Sequence, residues 1–261
     1  MAVRYDSGMA GGFSFPIINP QRQFQLFEDF VGAYNIADAE SVDITNATSG
    51  TVTFDTTTSS HGGCLLFDAA ASNAAQGVQM QMDSGIVLDE AADLFFEARV
   101  RFATTAGTSL FTDEMFIGLA EEDNTVIASS KLSDIGLVGF TSCAAHNDPG
   151  TDLAQPTAGF MSVVGSPAAS STASGSADAV KVDTAANSGV GVDDYVRLGL
   201  VIRNGEAQAF VNGEKVGSKV STLPTTLRLK PTFVCQADGS TQGKFLLDYV
   251  LVTCSRSSTA L

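Results

Sequence analysis

The sequence predicts an antiparallel β-sandwich, and three observations predict it. Apolar and polar side chains alternate over Phe96–Phe102 within Leu94–Phe102, and over most of Tyr195–Arg203, the pattern of a strand with one buried face. Two Asn-Gly pairs, Asn204-Gly205 and Asn212-Gly213, frame the strand Ala207–Asn212; both central residues of a type I′ hairpin turn need φ > 0, which Asn and Gly tolerate. No stretch offers the long helical crossover that a parallel sheet requires.

Taken in order, residues 1–30 differ from the rest. Met9–Pro20 mixes Gly, Pro and bulky apolar groups without a period, and Gln21–Phe30 alternates briefly. Disordered tails are poor in aromatics, whereas this segment carries Tyr5, Phe13, Phe15, Phe24, Phe27 and Phe30. An extended arm over 1–30 is expected, ordered against its own domain or a neighbouring subunit. Its partner-binding residues would be Tyr5, Phe13, Phe15, Ile17, Ile18, Phe24 and Phe27.

Residues 31–261 are expected to form one jelly-roll sandwich. Short apolar or alternating runs predict strands at Ser41–Asn46, Thr51–Thr56, Cys64–Asp68 and Gly77–Asp83. In Leu94–Phe102, Phe96, Ala98, Val100 and Phe102 share one face; Glu97, Arg99 and Arg101 share the other. Further strands fall at Met115–Ala120, Gly136–Thr141, Gly159–Val164 and Val180–Asp183. In the next strand Val196, Leu198, Leu200 and Ile202 lie opposite Tyr195, Arg197, Gly199, Val201 and Arg203. Arg228–Gln236 and Lys244–Thr253 complete the set. Helices have only three openings, at Asp89–Asp93, Ser129–Asp134 and within Glu28–Glu40. Ser166–Ala177 is low in complexity and reads as a mobile loop. Many strands with turn-rich connections give a sandwich or jelly roll.

Composition narrows the function. A chain of 261 residues, 44% hydrophobic, supports a large single core. Its net charge of −15 comes from 29 acidic against 14 basic residues, and repels phosphate backbones and anionic membrane surfaces. Met1–Asp6 is not expected to open a signal peptide, and no apolar run reaches membrane-span length. Cys64, Cys143, Cys235 and Cys254 are scattered, without the close pairs of a zinc site. Buried free thiols are expected, with a disulfide left open by the sequence.

Catalytic patterns are weak. The two histidines, His61 and His146, both read as loop residues, and only Cys143 lies near one of them. The acids around Thr112–Asp123 flank an apolar strand, Met115–Ala120, instead of punctuating it as a facing glycosidase pair requires. Glu121, Glu122, Asp123 and Asn124 form an acidic loop without EF-hand spacing. No phosphate- or dinucleotide-binding fingerprint occurs. Tryptophan is absent, and Tyr5, Tyr34, Tyr195 and Tyr249 form no loop cluster in the sequence. The expectation is a non-enzymatic chain with no catalytic residue, no metal and no cofactor.

Three segments carry a resemblance. Leu94–Phe102, containing Phe96-Glu-Ala-Arg-Val-Arg-Phe102, is similar to a strand of concanavalin A-like, laminin-G-like jelly rolls. Tyr195–Gly217, with its Phe210-Val-Asn-Gly213, resembles their paired strands, and Leu247-Asp-Tyr-Val250 resembles their closing strand. The resemblance spans about 40 to 254 and implies that fold. The lectin branch binds sugars through a calcium-held loop set, which does not map residue by residue onto this chain. The same segments with the apolar arm also resemble jelly-roll decoration (cement) proteins of tailed-phage capsids. That resemblance implies a virion structural protein, made in the host cytoplasm and placed on the outer capsid. Its partners would be major capsid protein subunits and copies of itself, as a trimer or dimer. Nucleic acid and membrane are not expected partners, and a glycan ligand is the alternative.

Overall fold

The computed structural model describes residues 23–30, 42–46, 51–55, 63–69, 77–83, 85–88, 91–102, 114–123, 125–128, 131–132, 135–142, 160–166, 180–183, 195–221, 223, 227–237 and 244–256. Two antiparallel sheets are built from them. Sheet A runs β16 (Glu214–Val220), β15 (Glu206–Val211), β14 (Tyr195–Arg203), β7 (Ala91–Phe102), β18 (Lys244–Arg256), β4 (Cys64–Asp68), β3 (Thr51–Asp55). Strand β1 (Gln23–Glu28) pairs with the C-terminal half of β18, in line with β4, which takes the N-terminal part. Sheet B runs β13 (Val180–Asp183), β12 (Phe160–Ser166), β11 (Leu137–Thr141), β8 (Glu114–Glu121), β17 (Arg228–Gln236), β5 (Gly77–Met82), β2 (Val42–Asn46). β6 (Ile86–Val87) also joins β17, and β9 (Ile127–Ala128) pairs with β10 (Lys131–Leu132).

Period-two patterning decides what fills the space between the sheets. In sheet A the register aligns Leu200, Phe96 and Val252 in one row; in sheet B it aligns Met80, Phe233, Ile117 and Phe140. All seven are buried. Phe233 bridges the layers, with ring centroids 6.1 Å from Phe67 and 6.5 Å from Phe96. Phe67 stacks on Phe245 at 4.4 Å. Each such side chain removed from water contributes about 1.5–3 kcal/mol. Among the described cysteines, Cys64, Cys235 and Cys254 are buried thiols outside any disulfide.

Turn chemistry follows the sequence. Asn204 and Gly205 have φ of 54° and 75°, and Asn212 and Gly213 have 52° and 85°, so both Asn-Gly pairs reverse the chain as expected. Pro231 lies inside β17, where a missing N–H would normally break a ladder. Along β17, pairing with β6 stops at Leu229 and pairing with β5 starts at Thr232; Lys230 and Pro231 occupy the gap between them.

Two expected helices are corrected. Ala91–Asp93 extends β7 and pairs with β18 and β14. Lys131–Leu132 is β10, paired with Ile127–Ala128. In both cases tertiary pairing overrides a weak local helix preference. Of the third, Glu28 lies in β1, and 31–40 lie outside the described residues. Residues 23–30 of the expected arm pack on the chain's own sandwich, where Leu26 and Phe30 join the core. Among the described residues no helix is long and apolar enough to cross a membrane.

Candidate functional site

The outer face of sheet A concentrates polar and aromatic side chains. Pleating sends Val196 and Leu198 inward and Tyr195 and Arg197 outward; on β7 it sends Ala98 and Val100 inward and Glu97, Arg99 and Arg101 outward. Register then sets Tyr195 beside Arg101, and Arg197 beside Arg99. On the far side of β7, Arg99 lies opposite Tyr249 of β18. A register shift between Leu247 and Tyr249 places Asp248 at an irregularity, and such a bulge re-aims a side chain.

The Arg99 guanidinium lies 4.2 Å from the Tyr195 ring centroid, and that of Arg101 lies 5.5 Å from it, both within cation–π range. Arg99 is ion-paired with Asp248, whose other oxygen accepts from the Cys64 thiol at 3.6 Å. Cys64 Sγ also lies 3.2 Å from the Tyr195 hydroxyl. The Tyr249 hydroxyl donates to Glu97 Oε1 at 2.5 Å. Burial, reinforced by the Glu97 charge, pushes the Tyr249 phenol up from its ordinary value, so it stays a donor. Phe27 of β1 packs on Tyr249, centroids 5.9 Å apart, and is 53% exposed. It is the exposed large hydrophobic side chain among the described residues.

The acidic loop after β8 lies on the outer face of sheet B, and glutamines hold it. Gln79 donates to Asp123 O and accepts from Val126 N at 2.9 Å. Gln81 donates to Glu121 O at 3.0 Å and accepts from Asp123 N at 3.1 Å. Beneath the loop, Phe116, Ala120, Leu137 and Val234 pack against Val126, Ile127 and Leu132 as a second apolar layer. Lys230 Nζ lies 2.9 Å from Glu122 Oε2 and 3.5 Å from Asp83 Oδ1. Burial opposes the Lys230 charge, but the two carboxylates outweigh it and raise its pKa. The same ammonium lowers that of Glu122. A lysine and backbone bonds therefore compensate these acids. Among the described residues no three His, Cys, Asp or Glu groups cluster as metal ligands.

Glu114 and Glu121 end β8 on opposite faces. As the two ends of an eight-residue strand, they lie ~23 Å apart, beyond the ~5–9.5 Å of a glycosidase pair. Of the sequence-nominated partner residues, Phe24 and Phe27 belong to β1. Tyr5, Phe13, Phe15, Ile17 and Ile18 lie outside the described residues, as do His61, Cys143, His146 and Asn124. Sequence reasoning missed the assembly of Arg99, Arg101, Tyr195, Asp248 and Tyr249. Its one signal was a pair of polar strand faces whose pairing partner was unknown.

No known family matches the sequence, and no curated protein matches it. Solved structures do match. A peanut lectin bound to a nine-residue peptide aligns over 90% of this chain and 99% of its own, with TM-score 0.59 and 11% identity. The lumenal domain of VIP36, bound to Ca2+ and mannose, covers 87% and 88% at TM-score 0.57 and 11% identity. The metal-free carbohydrate recognition domain of Emp46p covers 86% and 94% at TM-score 0.56 and 7% identity. The chain therefore has the legume-lectin, concanavalin A-like jelly-roll fold.

Proposed function

We propose that this chain is a non-catalytic, lectin-like carbohydrate-binding module whose saccharide lies across Tyr195 and Arg99 on the outer face of sheet A. The observation that carries the reading is the Arg99–Tyr195 stack, braced by Asp248 and flanked by Tyr249. A sugar ring has one face of C–H bonds and an equator of hydroxyls. Aromatic faces cover the first, and a few fixed polar groups orient the second. The fold adds support, since solved neighbours include a carbohydrate recognition domain and a mannose-bound lumenal domain. Tyr195→Ala is expected to lower affinity roughly tenfold for glycans selected on an array, while Tyr195→Phe retains most of it. Melting temperatures of both variants control for folding. An array without hits, or affinity unchanged in a folded Tyr195→Ala variant, would sink the reading.

Phe27 favours a second reading. A half-exposed aromatic on β1, a strand whose outer edge has no strand partner among the described residues, suits docking on another protein. In this reading the chain is a virion decoration protein on the outer capsid. Phe27 and the segment before it would meet major capsid protein subunits, with the copies grouped as trimers or dimers. Phe27→Asp, exchanging an apolar anchor for a charge, is expected to weaken binding to empty capsids at least roughly tenfold. Binding to capsids at undiminished affinity by that variant counts against it.

A further inference from the structure

We infer that the saccharide bound on this face carries an anionic group, a carboxylate or a sulfate, received by Arg101 and Arg197; the inference rests on the reading above.

Two local conflicts at the same spot point to it. Arg99 and Arg197 stand directly opposite each other on paired strands β7 and β14, a like-charge arrangement that destabilises a sheet. One row away, Arg101 follows Arg99 on the same face, and its Nε is buried with no hydrogen-bond partner. A buried donor without an acceptor is costly, more so when charged. Three guanidiniums thus share adjacent positions around Tyr195. Among the described residues Asp248 forms an ion pair with Arg99 alone. Arg197 gives one Nη2–H to the Asn212 carbonyl at 3.2 Å, and among the described residues neither it nor Arg101 forms an ion pair.

Local rules of this kind are broken chiefly at functional or strained sites. The missing partner is an acceptor with negative charge, and guanidinium groups match the oxygens of carboxylates and sulfates. The net charge of −15 repels an anion at long range. Screening over about 10 Å at ~0.1 M salt leaves the nearest groups to decide the contact. The anion would sit beside the Tyr195 ring, so charge and stacking would be read by one ligand.

The test compares matched saccharides: an oligogalacturonide with its methyl ester, and a sulfated galactan oligosaccharide with its desulfated form. Each is titrated calorimetrically into the full chain, alongside a glycan array carrying neutral and acidic members. The expected result is array hits among acidic glycans, and at least one charged probe binding roughly tenfold or more tightly than its neutral partner. Arg101→Gln and Arg197→Gln should each erase that ratio with little change in melting temperature, because the repulsion removed offsets the lost Tyr195 and Asn212 contacts. A merely structural arginine would behave oppositely: its loss would lower the melting temperature and leave the ratio intact. Equal affinity within both pairs, or hits confined to neutral glycans, overturns the anionic inference and leaves the saccharide reading standing. An array with no hits overturns both.

Discussion

Gly118→Val is expected to abolish the folded sandwich. Gly118 lies at the centre of β8, opposite Gly139 of β11. A Cβ on Gly118 would fall 2.4 Å from the Val138 carbonyl oxygen and 2.5 Å from Gly139 Cα, with the Phe116 ring 3.2 Å away. The two closest atoms are backbone, so no rotamer change relieves the collision. Strand β11 must move, and with it the ladder that carries Phe140 into the core. Overpacking commonly costs about 1–3 kcal/mol; a clash with backbone in a central pair exceeds that. Native domains hold only about 5–15 kcal/mol in reserve. The expected readout is insoluble expression, or a urea midpoint shifted down by more than half. Gly139→Ala should be less severe but still costly: its Cβ would meet the Ile117 carbonyl oxygen at 2.7 Å and Gly118 Cα at 2.9 Å, both backbone, and Phe116 Cζ at 2.8 Å, which can move. Pairing it with Phe116→Leu should recover part of the loss. A wild-type midpoint for Gly118→Val would contradict the close pairing of β8 and β11.

The second large effect is expected from Gln81→Leu. Gln81 is buried and binds the loop through both ends of its amide, to Glu121 O and Asp123 N, with Thr232 Oγ1 as a third partner. Leucine matches its bulk but supplies neither donor nor acceptor. Orphaned buried groups cost about 1–3 kcal/mol each, so the loss should be about 2–4 kcal/mol. It should appear first as local opening, with amide exchange of Asp123 and Val126 rising together. Opening the loop uncovers the apolar layer of Phe116, Ala120 and Val234, which couples local and global stability. Gln79→Leu acts on the same loop, so the double variant should fall short of the sum of the singles. Protection unchanged in that loop would show that something other than the glutamine amides holds it.

These two results bear on the binding reading from opposite sides. The loop on sheet B is fastened by side-chain amides, a lysine and an apolar underlayer, which close off that part of the face. The outer face of sheet A keeps half-exposed side chains with excess guanidinium charge. A ligand surface needs a few polar groups left to orient the ligand, and Arg101 and Arg197, which form no ion pair among the described residues, meet that description.

The strands of the hairpin region were legible because Asn-Gly turns and alternation are local signals. Leu94–Phe102 was legible for the same reason, although pairing lengthened it to Ala91. The short strands β6, β9 and β10 left no trace, since two residues carry no period. Their existence depends on the partners β17 and each other. Met82 and Ile86 join the core on either side of a short connection, a fact no local window contains.

By itself the sequence determined the antiparallel sandwich, the inward faces of Leu94–Phe102 and Tyr195–Arg203 and the two Asn-Gly reversals. Those depend on residue type and on spacing along the chain. Only the tertiary structure decided that Tyr195 and Arg197 lie beside Arg101 and Arg99, that Asp248 and Tyr249 complete the group, and that Gln79 and Gln81 fasten a distant loop. The physical reason is register. Alternation states which side chains share a face of one strand, whereas neighbours across a sheet are set by long-range hydrogen bonding between segments 40 to 152 residues apart in sequence.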